Sequence, residues 1–436
     1  MRKSVISVLA IGIPLLCLLS IVFYNLPPVH DRLAWRVDEL RTRIKYALNP
    51  PEEAVFIPQE QTSQAPLATP AVRIITSTPT STPTLPGPTA TPTPSPTPTI
   101  TPTPLPEKVV LSGVKYEDQH NRWNYCGPAN LSMALTFWGW DGNRDVVGEY
   151  VKPEDKDKNV MPYELQDFVD TQTEDMTALI RSGGEIEVIK SLIAAGFPVL
   201  AEKGYYEYDY TGKLGWLGHY QFINGYDDTR QSFTVQDTYI KDGKDHRLPY
   251  EDFVEGWRSF NNLFMVVYPE ERGDEVLRLL GPWADPTWAN TYALEKAKAE
   301  SESLTGIDQF FAWFNRGTSL VNLGQYPDAA AAYDQAFALY NNLADDYQRP
   351  YRIMWYQTWP YWAYYYSGRY QDVINLANTT LNDTISEPVL EESFYWRALA
   401  REALGDVAGA IDDLRESVRL NPNFGPGWEQ LNRLGG

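Results

Sequence analysis

The sequence contains very little cysteine and histidine. Its 436 residues include two cysteines and four histidines. Cys17 lies in an apolar N-terminal stretch and Cys126 lies in a later segment of mixed composition, so we expect no disulfide between them. One cysteine and three scattered histidines remain in the globular part, and their spacing does not fit a metal site. We therefore predict neither a metal nor another cofactor.

Positive charge is also scarce. Lysine and arginine number 37 against 57 aspartates and glutamates, which gives a formal net charge of -20 at pH 7. Such a surface repels phosphate backbones, and no basic stripe is interleaved with aromatic residues. A nucleic-acid partner is therefore not predicted.

Charge is absent altogether from an N-terminal run. Val5–Tyr24 has no charged residue over twenty positions, about the length that crosses a bilayer as a helix. The run does not end in a small-x-small cleavage site, so residues 1–28 are predicted to be an uncleaved signal anchor. In residues 29–50 an apolar stripe recurs at helical spacing, made of Leu33, Val37, Leu40 and Ile44. This helix is predicted to lie on the membrane surface or to pair with itself.

Residues 51–107 are predicted to be a disordered linker. Their central part, from Thr78 to Pro106, is almost entirely proline, threonine and serine and carries no charge. As an extended spacer, its 29 residues could place the next domain roughly 90 Å from the bilayer. Proline-threonine stalks are typical of surface proteins. We therefore expect a single-pass cell-membrane protein whose globular domains lie on the extracytoplasmic side.

The rest of the chain is predicted to be multidomain. Residues 108–272 mix helices with short β-branched runs, which indicates an α+β domain. The expected strands are 109–114, 198–201, 219–226, 233–239 and 263–268. Residues 273–304 are predicted to be a helical connector, and residues 305–436 an all-α repeat domain. The segment from Lys203 to Trp216 fits either a substrate lid or an exposed hairpin.

Cys126 opens a strongly apolar segment that runs to Leu135. Pro128 fits the first turn of a helix, and Gly139 fits the position just past its end. A cysteine at a helix N-terminus is favoured as thiolate by the unpaired backbone N–H groups. By itself, the segment also fits an inert buried thiol.

His219 supplies a candidate base. It lies in an apolar strand that a turn connects to a second strand ending near Asp237. Counting back from the turn puts His219 opposite residues 238–240, so Asp237 is a near or diagonal neighbour able to hold the imidazole tautomer. Singly, each residue also fits a structural role, as a core histidine and a strand-end cap. The ordered trio with Cys126 favours catalysis.

These motifs resemble the papain-like cysteine peptidases related to bacteriocin double-glycine leader peptidases, the peptidase C39-like family. The resemblance covers about residues 110–270 and implies a papain-like fold, with Cys126 as nucleophile, His219 as general acid/base and Asp237 as orienting residue. The family also places an oxyanion-stabilising glutamine shortly before the cysteine. Here Gln119 lies seven residues upstream and Asn121 five, with His120 between them; we prefer Gln119.

The C-terminal part resembles tetratricopeptide repeats. Small residues at Gly317, Ala329 and Ala336 would let two helices approach closely, and further units surround Gly368 and Gly405, followed by a capping helix. The resemblance implies binding of a protein or peptide partner. We therefore expect a membrane-anchored, extracytoplasmic cysteine peptidase that cleaves peptide bonds. The alternatives are a catalytically silent peptide-binding module and a cell-wall peptide amidase or acyltransferase.

Overall fold

The computed structural model describes residues 20, 22–59, 104–209, 212–343 and 349–436. Within them, a part built on one β-sheet is followed by a helical part. The strands are β1 Lys108–Val110, β2 Met176–Arg181, β3 Val199–Tyr208, β4 Leu214–Asp227, β5 Ser232–Gln236, β6 His246–Pro249 and β7 Phe264–Pro269. Their order in the sheet is β2-β7-β3-β4-β5-β6, and β1 pairs with the C-terminal end of β4. The described pairs are all antiparallel.

The strand predictions were incomplete. β2 and β6 were not predicted, and β3 and β4 extend well beyond the predicted 198–201 and 219–226. The extensions meet as a hairpin whose Trp216 is buried against Phe260 of the sheet part and Phe311 of the helical part. At its turn, Asp209 accepts a hydrogen bond from Arg352 at 2.5 Å. The hairpin is therefore held against the helical part, which argues against a free lid.

Helices cover the sheet and surround its edges. A first helix, α1, precedes the sheet part and spans Pro27–Leu48. The helices of the sheet part are α2 Cys126–Phe137, α3 Arg144–Val151, α4 Pro162–Gln172, α5 Ile186–Ala194 and α6 Tyr250–Arg258. From Cys126 to Thr136 every residue of α2 is buried, as its apolar composition on all sides requires. α2 is thus the central helix, packed on β3, β4 and β7.

The helical part begins with α7 and α8, which lie in the predicted connector 273–304, and continues as helix pairs. The bounds are α7 Gly273–Leu280, α8 Pro286–Ser303, α9 Gly306–Asn322, α10 Tyr326–Asn341, α11 Ile353–Tyr356, α12 Trp359–Tyr366, α13 Tyr370–Asn378, α14 Glu391–Ala403, α15 Val407–Leu420 and α16 Gly425–Arg433. α9 packs on α10 and α14 packs on α15. A Cβ on Gly317 would lie 2.6 Å from the Tyr333 ring, so α9 and α10 meet as closely as predicted.

The N-terminal helix α1 packs on the helical part through a polar face. Asp38, Thr42 and Tyr46 are buried, and Tyr46 donates to the carbonyl oxygen of Thr384 at 3.2 Å. The predicted apolar stripe points away from this contact: Leu40 and Ile44 are 60% and 53% exposed. α1 is therefore a docked helix with an outward apolar stripe.

The predicted linker starts too early. Residues 51–59 pack on the repeats: Phe56 is buried against Phe337 and Tyr364, and the Gln59 N–H donates to Asp372. Residues 104–107 already join the sheet part. The Pro/Thr segment therefore connects two points on the same globular body, and it cannot hold that body away from α1 as the 90 Å spacer would. Residues 60–103 lie outside the described residues.

No helix among the described residues has the length and apolarity needed to cross a bilayer. Most of the predicted anchor, from Val5 to Tyr24, lies outside those residues.

Candidate active site

Cys126 is the first residue of α2, and its side chain is buried. The helix begins here because the Tyr125 backbone leaves the helical range and Pro128 suits a first turn. The Asn130 side chain donates to the carbonyl oxygens of Cys126 and Tyr220, at 2.8 and 3.0 Å. This amide fixes the start of α2 against β4, the strand that carries His219.

The β4–β5 hairpin brings His219 and Asp237 together. Phe222 pairs with Gln236, and the same register carried past the end of β5 sets His219 opposite Tyr239. This agrees with the predicted range 238–240. Asp237 follows β5 directly, and its Oδ1 lies 3.1 Å from His219 Nε2. The ring thus has Nδ1 left for Cys126, whose thiol interacts electrostatically with the His219 side chain.

Three further groups hold the Asp237 carboxylate. Gln221 Nε2 donates to Oδ2 at 2.7 Å, and the backbone N–H groups of Tyr239 and Ile240 donate to Oδ1 at 2.9 and 3.3 Å. Gln221 was not predicted as a site residue. Its place in the sequence could have indicated this role, because it lies two residues after His219 on the same face of β4.

Burial and charge compete at this cluster. Burial disfavours a charged Cys126, but the hydrogen bond and charge of His219 and the N–H groups of Tyr220 and Gly127 outweigh it, so the thiol pKa falls below its ordinary value. Burial likewise opposes a charged imidazole, yet Asp237 and Cys126 raise the His219 pKa to about 10. The pKa of Asp237 is lowered, although burial opposes this, chiefly by His219. The two shifts, down for the thiol and up for the imidazole, both favour the thiolate–imidazolium form of the pair.

Gln119 lies at the same cleft as Cys126. Its side-chain oxygen accepts a hydrogen bond from Thr238 at 2.9 Å, and its backbone N–H donates to the Thr238 carbonyl at 2.9 Å. The amide group is therefore oriented from the β5 side. Asn121 also lines the cleft, with a positive φ of 64°. His120 is directed elsewhere, because its Nε2 lies 3.0 Å from the Tyr239 carbonyl oxygen.

The cleft above Cys126 has a volume of about 400 Å³ and is bounded by both parts of the chain. Tyr205 and Tyr239 flank the His219 ring, at centroid distances of 5.8 and 6.4 Å. Tyr356 comes from the helical part and lies over Gly218, where a Cβ would be 2.9 Å from its ring. The sequence could not reveal Tyr356 as a cleft residue, because a tyrosine in a degenerate repeat is more often core.

One cluster of three carboxyl groups among the described residues is compact enough to hold a metal ion. Ligand atoms of Glu164, Glu391 and Glu392 lie within 4.8 Å of one another, where the sheet part meets the repeats. Neighbours already hydrogen-bond them: Asn421 donates to Glu164 and Glu391, and Tyr163 donates to Glu392. Neighbouring side chains therefore supply a hydrogen bond to each of the three carboxyl groups.

Comparisons with known proteins identify both parts of the chain. Residues 111–265 match the family model described as Peptidase_C39 like family. Residues 310–343 and 392–423 match models of the tetratricopeptide repeat. The predicted resemblance, a C39-like peptidase segment followed by tetratricopeptide repeats, is confirmed. The predicted second unit, around Gly368, lies between the two matched ranges.

Among solved structures, the chain is similar to a Bacillus anthracis protein described as a candidate C39-like peptidase. The two are 19% identical, the match covers 37% of this chain and 98% of that one, and the TM-score is 0.31. No curated protein matches the chain.

Proposed function

We propose that this protein is a cysteine peptidase that cleaves peptide bonds with Cys126, His219 and Asp237. The observation that carries the proposal is the position of His219, whose ring interacts with the Cys126 thiol and whose Nε2 lies 3.1 Å from the Asp237 carboxylate. The pKa shifts of this pair, down for the thiol and up for the imidazole, are those that a nucleophilic thiolate needs. The family match supports the same activity.

In the acylation step, the Cys126 thiolate attacks the carbonyl carbon of the scissile peptide bond. The negative charge on the carbonyl oxygen is stabilised by the Cys126 backbone N–H and the Gln119 amide. The His219 imidazolium gives its proton to the leaving nitrogen as the C–N bond breaks, leaving a thioester on Cys126.

In the deacylation step, water attacks the thioester carbonyl while neutral His219 takes one of its protons. The C–S bond then breaks, releases the carboxylic acid and restores the thiolate–imidazolium pair. Asp237 keeps the ring in the orientation that both steps require, because its carboxylate is itself held by Gln221 and two backbone N–H groups.

The repeats are proposed to bind a protein or peptide and to shape the substrate cleft. Tetratricopeptide repeats support protein binding, and Tyr356 from the helical part lines the Cys126 cleft. A peptide bound at Cys126 would therefore contact both parts of the chain.

The test is the alkylation rate of Cys126 by iodoacetamide at pH 7 in a Cys17→Ser background, where Cys126 is the single thiol. His219→Ala should slow alkylation about tenfold or more, because without the imidazolium the thiol returns to its ordinary pKa of about 8.5 or above, where only a few per cent is thiolate at pH 7. His246→Ala is the matched control and should leave the rate unchanged. An unaccelerated wild-type thiol would contradict the proposal.

Cleavage is then measured on a diverse peptide library, with Cys126→Ala as the inactive control. We expect products from the wild type alone. His219-dependent alkylation without cleavage of any peptide would favour the binding module instead. Activity confined to cell-wall peptides would favour the amidase or acyltransferase.

We also propose that the protein is anchored in the cell membrane with its globular body outside. The support is the uncharged run Val5–Tyr24 and the outward stripe of α1, in which Val37, Leu40 and Ile44 are about half exposed. Because the stripe follows the apolar run directly and has Arg36, Arg41 and Arg43 beside it, a lipid surface with anionic headgroups fits it best.

Carbonate extraction of bacterial membranes tests the anchor. The full-length chain should remain in the pellet, and removal of residues 2–26 should release it. A C-terminal alkaline phosphatase fusion should be active, since that enzyme needs an oxidising compartment to form its disulfides. Extraction of the intact chain, or an inactive fusion at normal expression, would contradict the proposal.

A further inference from the structure

A second cavity lies between the sheet part and the repeats, separate from the Cys126 cleft. Its volume is about 330 Å³. Tyr163, Phe260 and Leu263 line it from the sheet part, and Trp359 and Trp362 line it from the repeats. Tyr163 and both tryptophans remain partly exposed, so the cavity opens to solvent. Five of the 19 lining residues are aromatic and the others are mixed apolar and polar, a composition that suits an amphipathic side chain.

Tyr356 lines both this cavity and the Cys126 cleft. It is fixed in this place because Gly218, the residue before His219, has no Cβ to displace it, and the Gly218 backbone hydrogen-bonds its phenol. One buried ring therefore lies between the reacting groups and the second cavity. A subsite in that cavity requires that a side chain of a peptide bound at Cys126 pass beside the Tyr356 ring.

Glu202 gives the cavity a chemical preference. It lies on β3, is 1% exposed and lines the cavity. Its Oε1 is buried without a hydrogen-bond partner among the residues that the structure describes, and the Tyr220 phenol lies beside the carboxyl group. Burial raises the pKa of Glu202 well above its usual value, so the cavity by itself favours the neutral acid. A cationic ligand that donates to Oε1 would satisfy this acceptor and favour the carboxylate.

Arg181 is the other charged residue that lines the cavity, and it is engaged elsewhere. Its Nε, Nη1 and Nη2 donate to the carbonyl oxygens of Trp283, Ile180 and Ala284, at 2.7, 2.8 and 3.0 Å. No hydrogen bond joins Arg181 to Glu202 in the described part of the chain. The Glu202 carboxyl group therefore has a free acceptor facing the cavity.

We propose that this cavity is a substrate subsite for a lysine or arginine side chain, with Glu202 accepting hydrogen bonds from its basic group. The aliphatic stem of such a side chain would lie along the aromatic rings, and its cation would gain both the carboxylate and the ring faces. The proposal rests on the proposed peptidase function and specifies its substrate class.

The test uses the full-length chain and sets of peptides in which lysine at each position in turn is replaced by norleucine or glutamate. At one position the wild type should prefer lysine over norleucine in kcat/KM. In Glu202→Gln this preference, the ratio of kcat/KM for the lysine peptide to that for the norleucine peptide, should fall about 10- to 100-fold, the range of one charged hydrogen bond. Glu255→Gln, an exposed glutamate outside both cavities, is the matched control.

Trp359→Leu is the second variant and removes an aromatic ring from the repeat side of the cavity. It should lower kcat/KM for the lysine peptides. A wild type without preference for a basic residue, or an equal preference in Glu202→Gln, overturns the subsite. If no peptide is cleaved, binding of the same peptides to Cys126→Ala and to its Glu202→Gln derivative decides the matter separately. A lysine preference in binding that Glu202→Gln removes supports the subsite although the peptidase proposal has failed, and identical binding overturns it.

Discussion

The His219 side chain shows how one buried residue depends on its neighbours. With 3% of its surface exposed, the ring would be neutral if burial acted alone. Asp237 on one ring nitrogen and Cys126 on the other reverse this preference and raise the His219 pKa to about 10. Asp237 is thus more than an orienting group, since its charge decides whether the imidazole carries a proton at neutral pH.

Asp237→Asn should therefore lower the His219 pKa. An asparagine can keep the hydrogen bond to Nε2 but lacks the charge, and loss of a close opposite charge costs about 1–3 pKa units. The alkaline limb of kcat/KM, expected near pH 10 in the wild type, should move down by that amount. NMR titration of ¹³C-labelled histidine measures the pKa directly.

The same substitution should also change the stability of the fold, in a direction that the His219 pKa determines. The folded-state pKa of His219 lies above its usual 6.5, so the stabilisation is complete below that value and is lost as the pH rises through about 10. Asp237→Asn should hence lower the free energy of unfolding at neutral pH. Asp242→Asn, on an exposed loop residue, is the control. An unchanged His219 titration in Asp237→Asn would assign the shift to another group.

Site residues could be predicted from the sequence where a local pattern marked them, and not where contacts between distant segments bring them to the site. Cys126 had a helix-start signal, and His219 and Asp237 shared one hairpin whose register could be counted. Tyr356 and Glu202 had no such signal. They reach the site through the contact of the helical part and through strand β3, whose length was underestimated because Lys203, Gly204 and Glu207 interrupt its apolar pattern.

At the scale of elements, α9 and α10 depend on a close approach at Gly317. The Tyr333 ring occupies the space where a Cβ would be, and its phenol lies 3.0 Å from the Thr318 hydroxyl. This small-against-aromatic contact is the feature that the repeat pattern predicted. It was predictable because the motif encodes contacts within one unit.

Gly317→Ala should destabilise the helical part by about 1–3 kcal/mol, the usual cost of overpacking a core. The added methyl group must displace the Tyr333 ring and with it the hydrogen bond to Thr318. Urea unfolding followed by tryptophan fluorescence measures the change.

Gly425→Ala is the matched control for this prediction. Gly425 is also helical, but a Cβ there would meet nothing within 4 Å. The control should be neutral or slightly stabilising, because alanine loses less backbone entropy than glycine on folding. Equal shifts in the two variants would show that the approach of α9 to α10 tolerates a methyl group.

Elements that contact distant segments were harder to predict. β2 and β6 lie at the two ends of the sheet path, and their sequences show neither strict alternation nor a long apolar run. Residues 51–59 read as linker because they are rich in proline and polar residues. Phe56 is their one aromatic residue in the core of the repeats, and other contacts include the hydrogen bond of the Gln59 N–H to Asp372, so the sequence shows no periodic signal.

At the scale of the whole molecule, buried carboxyl groups join the sheet part to the repeats. Glu164 lies in the first turn of α4, and Glu391 and Glu392 begin α14. Asn421 bridges Glu164 and Glu391 with hydrogen bonds of 3.0 Å. Burial first, and mutual repulsion second, raise the pKa of Glu164 and Glu392, and that of Glu392 reaches about 8. The contact between the two parts should therefore favour protonated carboxyl groups.

Stability of the full-length chain should then fall as the pH rises. An acid whose folded pKa is raised stabilises the fold fully below its unfolded value, here 4.5, and loses this contribution as the pH passes its folded value, about 8 for Glu392. At about 1.4 kcal/mol per pKa unit, the loss between pH 5 and 8 should be on the order of a few kcal/mol.

Glu392→Gln removes the titrating group but can still accept the hydrogen bond from Tyr163. The thermal midpoint of this variant should vary less between pH 5 and 8 than that of the wild type. Within this range the two should differ most at pH 8, where about half of the folded wild-type Glu392 is ionised. Glu429→Gln, an exposed glutamate on α16, should keep the wild-type pH dependence. Parallel pH curves for Glu392→Gln and the wild type would mean that the two parts of the chain do not meet through protonated carboxyl groups, because a contact that holds a buried proton must lose stability when that proton leaves.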